Sequence, residues 1–147
     1  MKASQSSVGR ELENFFQWVI PVCERIPKNS IPLQEAGRTL VHAIIDTQAY
    51  VRLALKTSDE SARLQLIDAM ILNMETIKSI MDALVEYSTS PSHAHVLSRA
   101  QKGSYLTQME SICRQLGGWE RKTRRVVEGQ KAGATGGQRG FARQNCG

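Results

Sequence analysis

Aromatic side chains make up only 5% of this 147-residue chain, and it holds just four prolines and three cysteines. Strands favour aromatic and β-branched side chains, so the shortage of aromatics argues against a sheet protein. The cysteines, Cys23, Cys113 and Cys146, cannot all pair within one chain, and no two stand in a C-x-x-C spacing. A disulfide framework therefore has no support, and thiols in a reducing cytoplasm are the expectation. No apolar run approaches the roughly 18–20 residues that cross a bilayer. Met1 to Arg10 is polar and lacks the apolar stretch of a signal peptide. Together these absences point to a cytoplasmic protein with no membrane partner.

What is present suits helices. Apolar residues form 41% of the chain and charged residues 22%, close to globular averages. Leu, Ile, Met, Ala, Gln, Glu and Arg, all of them tolerant of helix, together make up about half of the chain. Apolar residues recur at threes and fours in four segments separated by breaks. The first segment runs from about Gly9 to Ile26 on Leu12, Phe15, Phe16, Val19, Cys23 and Ile26, with Pro21 expected to kink it or split it in two. Pro27 and Pro32, with Asn29 and Ser30 between them, end it. The second segment starts behind an expected Ser30 cap and runs to about Lys56 on Leu33, Leu40, Ile44, Val51 and Leu55, with Thr47 a soft spot in the seam. Thr57 and Glu60 have capping-box spacing at the start of a third, which reaches about Tyr87 on Leu64, Ile67, Ile71, Met74, Met81 and Leu84, widened by Ile77 and Ile80. Ser92 is the expected cap of a fourth, from about His93 to Arg125, on Leu97, Ala100, Leu106, Met109, Cys113, Leu116 and Trp119.

The fold class that follows is all-α: an antiparallel four-helix bundle, up-down-up-down because the breaks are short. Residues 1–8 read as a loose start, 9–128 as the bundle, and 129–147 as a flexible, basic, glycine-rich tail with almost nothing to pack.

Catalytic and metal chemistry find little footing. His93 and His95 are two apart, so a helix does not put both rings on one face, and His42 stands alone near a seam. Cys23 and Cys113 sit in apolar stripes, where the thiolate is disfavoured. Glu-x-x-His motifs, which build di-iron bundles, are absent. The glycine-rich end lacks the phosphate-loop pattern. No enzyme activity, cofactor or metal is expected.

Charge is the informative property. The formal net charge is +5, but residues 1–95 carry nine Lys/Arg against eleven Asp/Glu, whereas residues 96–147 carry ten Lys/Arg against three Glu. Arg114, Arg121, Lys122, Arg124 and Arg125 crowd the end of the fourth segment; Arg99 and Lys102 precede them, and Lys131, Arg139 and Arg143 follow in the tail. Part of such a cluster is generic, since cations favour a helix C-terminus. The functional reading is a phosphate-binding surface for nucleic acid. Gly117 and Gly118 fall in the middle of the same helix at a cost of about 1 kcal/mol each relative to alanine, which implies close approach of another backbone, within the bundle or from another subunit. Trp119 beside them reads as core, with a partner anchor as the alternative.

Three segments in order, Arg25-Ile-Pro-Lys-Asn29, Leu33 to Asp46 with its Ala-Gly-Arg-Thr-Leu stretch, and Arg114-Gln-Leu-Gly-Gly-Trp119, resemble the short four-helix-bundle family that includes ribosomal-RNA intervening-sequence proteins and the accessory variability determinant of diversity-generating retroelements. The resemblance covers about residues 10–125 and does not extend to the glycine-rich end. It implies a basic, non-catalytic bundle that forms a homopentamer, binds a reverse transcriptase and nucleic acid, and supports copying of a template RNA into mutagenised cDNA. The chain departs from the family in concentrating its basic residues late. A bundle of the same family that binds nucleic acid without a polymerase partner is the alternative.

Overall fold

A computed structural model of the chain describes residues 3–135, which form four α-helices and contain no strand: α1 (Ala3–Glu24), α2 (Ile31–Lys56), α3 (Glu60–Ser88) and α4 (Arg99–Thr135). Each helix packs on its neighbours in sequence, and α1 and α4 also meet. Most of the buried residues fall on alternating steps of three and four, with Ala43 and Val85 buried beside the series. Val8, Leu12, Phe15, Val19 and Val22 in α1 continue to Ile26; Gly37, Leu40, Ile44, Thr47, Val51 and Ala54 follow in α2. Ile67, Met70, Met74, Ile77, Met81 and Leu84 line α3, and Tyr105, Met109, Ile112, Leu116, Trp119 and Thr123 line α4. Such heptad spacing keeps one seam of each helix on a shared axis.

The seams differ from the simplest apolar stripes. Phe16, Cys23, Leu33, Leu55, Ile71, Ile80 and Leu106 flank the core half-buried, while Ala100 and Cys113 are exposed. In their place Val8, Val22, Gly37, Ala54, Met70, Tyr105 and Ile112 enter the core. Gly37, Ala43 and Ala54 are the small residues that α2 buries. A Cβ on Gly37 would stand 2.8 Å from Ile26 Cδ1. Thr47 is satisfied by donating to the Ala43 carbonyl at 2.7 Å, so the soft spot leaves no buried hydroxyl unpaired.

The helix ends show which local signals won. Helix α1 begins before Gly9 and passes through Pro21 to Glu24 as one helix; Pro21 itself is exposed. Ser30 caps α2 by accepting from the Leu33 amide, with Pro32 in the first turn. The Thr57/Glu60 box does not form. Asp59 caps α3 by accepting from the Ser61 amide at 3.2 Å, Thr57 closes α2, and Glu60 pairs with Arg63. Arg63 also donates to the Thr57 carbonyl and, at 3.1 Å, to the Ala54 carbonyl, placing a cation on the open carbonyls of the α2 C-terminus.

The largest local departure is the start of α4, at Arg99 rather than His93. Ser98 and Gln101 form a reciprocal capping box: the Gln101 amide donates to Ser98 Oγ at 3.0 Å, and the Ser98 amide donates to Gln101 Oε1 at 2.9 Å. The preceding residues form an irregular plug. Val96 and Leu97 are both fully buried, and Ser88 Oγ accepts from both of their amides at 3.0 Å. At its other end α4 continues past Arg125 to Thr135, carried by Gln130, Lys131 and Ala132 despite Gly129 and Gly133. The rest of the glycine-rich segment, residues 136–147, lies outside the described residues.

Candidate nucleic-acid interface

The candidate surface is built on α4, whose core seam fixes which side chains face outward. Arg114, Arg121 and Arg125 stand at i, i+7 and i+11, on the side opposite Ile112, Leu116 and Trp119. All three are exposed, and no carboxylate among the described residues pairs with any of them. Lys122 is exposed on the flank that carries Ser111 and Gln115, facing α1. Arg124 is turned the other way: Nη2 lies 3.6 Å from both Asp68 of α3 and Glu120 of α4, so its charge is partly compensated.

The remaining cations are not all brought to this surface. Arg99 and Lys102 occupy the first turns of α4, roughly 30 Å along the axis from Arg121 at 1.5 Å per residue. Glu110 intervenes on the exposed side. Lys131 is exposed near the other end of the helix. Arg139 and Arg143 lie outside the described residues.

The length of α4 changes the electrostatic account. Helix-dipole stabilisation of cations acts within the last turn, and the last turn of this helix holds none. Arg121 to Arg125 are mid-helix, so the macrodipole does not explain why they cluster.

Gly117 and Gly118 border the arginine stripe, and the expected approach of another backbone within the bundle is not there. A Cβ on Gly117 would meet Arg121 Nη1 at 3.5 Å, and one on Gly118 would meet Arg121 Nη2 at 4.0 Å, both ordinary contacts with nothing else nearby. The glycines instead leave bare helix backbone beneath the Arg121 guanidinium. Trp119 faces inward at 7% exposure and belongs to the core.

His93 stacks on Tyr87 with ring centroids 4.1 Å apart and planes 5° apart, and its Nδ1 lies 3.0 Å from the Tyr87 carbonyl oxygen. His95 and His42 are exposed. Among the described residues no three His, Cys, Asp or Glu side chains converge as a metal site. Burial, with the Glu24 carboxylate second, raises the Cys23 thiol pKa. Cys113 is also raised, by desolvation first and the Glu75 carboxylate second, with Lys78 opposing. Both thiols are therefore poor nucleophiles near neutrality.

Two polar arrangements were not legible as sites in the sequence. Glu11 reaches across from α1 to accept from Ser111 and Gln115 of α4, and Tyr105 donates to Asp82. Each pair is about 20 to 100 residues apart in the chain, beyond any local motif. No helix among the described residues is long and apolar enough to cross a membrane. Comparison with family models, curated proteins and solved structures gave no match.

Proposed function

We propose that this chain is a non-catalytic accessory subunit of a diversity-generating retroelement, binding template RNA or its cDNA and the element's reverse transcriptase in the cytoplasm during mutagenic cDNA synthesis. The observation that carries the nucleic-acid part is the Arg114, Arg121, Arg125 stripe: exposed, without carboxylate partners among the described residues, and outside the last helical turn. The bare backbone at Gly117 and Gly118 lets a phosphate come closer to the helix than side chains would allow. Contacts of this kind are independent of sequence and sensitive to salt. The polymerase partner rests on the three family-like segments.

The bundle is up-down-up-down in this reading. Arg25 meets Val96 while Glu11 meets Ser111, and Asp82 meets Tyr105 while Asp68 meets Arg124, so residue numbers fall along α4 as they rise along α1 and α3, which supports antiparallel packing. Homo-oligomerisation, as a pentamer on the family resemblance, has support in two complementary helix faces. The outward face of α2 exposes Ile45 and Leu53 beside Arg52 and Lys56, with Asp46 and the Arg38–Glu35 pair on the same side, and that of α3 exposes Leu72 between Asp68 and Glu75.

The test is binding of a structured RNA by wild type and by Arg114→Glu/Arg121→Glu/Arg125→Glu across a salt series. The variant is expected to keep its helical content, bind more weakly, and lose about two to three from the salt slope. Equal binding at low salt removes this stripe from the mechanism. Co-purification with the reverse transcriptase tests the partner: RNA binding without it favours a family bundle that works with no polymerase.

A further inference from the structure

Helices α1 and α4 face each other through two polar rows with the same spacing, Glu11, Asn14 and Trp18 on one, Gln108, Ser111 and Gln115 on the other. A cleft of about 320 Å³ opens between them, lined by Glu11, Asn14, Trp18 and Gln108. We propose that this cleft is a binding site for a guanidinium group. None of Arg114, Arg121 and Arg125 lines it.

Glu11 supplies the charge of the cleft. Its carboxylate accepts from Ser111 Oγ at 2.9 and 3.0 Å and from Gln115 Nε2 at 2.5 Å, all neutral donors on α4. They hold the carboxylate in place without compensating its charge, and no cation among the described residues pairs with it. Each carboxylate oxygen keeps acceptor capacity after these bonds. Gln115 Oε1 is buried without a partner, but Gln115 does not line the cleft.

Trp18 supplies the wall. Its ring is fixed by stacking on Phe15 at 6.3 Å and by a tilted contact with Tyr105 at 6.1 Å, and it lines the cleft. A fixed indole next to an uncompensated carboxylate favours a cation that is also planar. Guanidinium meets both demands: its fork matches a carboxylate, its plane stacks on an aromatic ring, and it is less strongly hydrated than an ammonium. The side-chain amides of Asn14 and Gln108 offer oxygens to its remaining N–H donors. The group belongs either to a small free guanidinium compound or to an arginine of a polypeptide; the chemistry is shared.

The test follows the Trp18 indole N–H resonance of the full chain, identified by its loss in Trp18→Phe, during titration with methylguanidinium chloride, with a peptide of residues 136–144 carrying Arg139 and Arg143, and with sodium chloride at matched ionic strength. Saturable shifts with methylguanidinium support a site for the group itself, and tighter saturation by the peptide assigns it to a polypeptide arginine. Glu11→Gln is expected to weaken binding about tenfold or more, since a charge-assisted pair becomes a neutral one. Gln108→Arg places a tethered guanidinium at the cleft and is expected to abolish the response while raising the melting temperature. No saturation with either probe, a response equal to that of sodium chloride, or wild-type affinity in folded Gln108→Arg overturns the proposal.

Discussion

The Tyr105 hydroxyl donates to Asp82 Oδ1 at 2.7 Å, joining the most deeply buried aromatic of α4 to a half-buried carboxylate on α3. Tyr105 was not part of the apolar stripe read from the sequence, yet its ring fills the core and its polar tip reaches a partner at the edge. Burial first, and then the bond to Asp82, raise the Tyr105 pKa well above its usual value near 10. The folded state thus prefers the neutral phenol. The resulting stability is fully present below about pH 10 and declines as pH rises from there towards the folded-state pKa. Tyr105→Phe is expected to cost about 1.5–3 kcal/mol at neutral pH and to flatten the alkaline decline. Melting temperature measured from pH 7 to 11 for both proteins checks it; parallel curves count against the Tyr105 account.

Gly117→Ala/Gly118→Ala separates helix propensity from function. Both positions have room for a methyl group, so the variant is expected to gain up to about 1 kcal/mol per site in the isolated chain. Binding of RNA is expected to weaken at the same time, because methyl groups cover the backbone under Arg121. A stabilised variant with unchanged RNA affinity shows that the glycines do not serve the phosphate surface. A variant that melts lower and sediments lighter points to contact with another subunit.

Arg52→Glu/Lys56→Glu reverses the charge beside Ile45 and Leu53 while leaving the core seam of α2 untouched. The particle mass by light scattering is expected to fall, and adding Asp68→Lys/Glu75→Lys on α3 to the same chain is expected to restore part of it. An unchanged mass for the α2 variant excludes this face from assembly.

Cys113 is exposed but its thiolate is disfavoured. In a Cys146→Ser background, its reaction with a disulfide reagent is expected to be slow at pH 7, with the rate midpoint above the ordinary thiol range near 8.5. Glu75→Gln removes a carboxylate that favours the protonated thiol, so the midpoint is expected to move down. No movement assigns the shift to desolvation alone.

Four helices, the break at Pro27 to Pro32 and the Ser30 cap follow from local chemistry: proline lacks an amide hydrogen, serine accepts from an open one, and apolar residues recur with the helical period. The concentration of positive charge after residue 95 is likewise a property of the sequence alone. Tertiary packing decided what local rules left tied. Two adjacent apolar rows compete in each helix, and the close approach at Gly37, the tolerance for Met70 and the reach of Tyr105 to Asp82 selected one of them. Ser92 reads as the cap of the fourth helix, yet Ser98 caps it, directly behind the buried Val96 and Leu97. The carboxylate of Glu11 faces Ser111 across 100 positions of chain, a relation set by helix packing and carried by no motif. The cations themselves were plain in the sequence. Their division into an outward stripe, an Arg124 held by Asp68 and a distant Arg99 required the phase of α4, which only its burial against the other helices fixes.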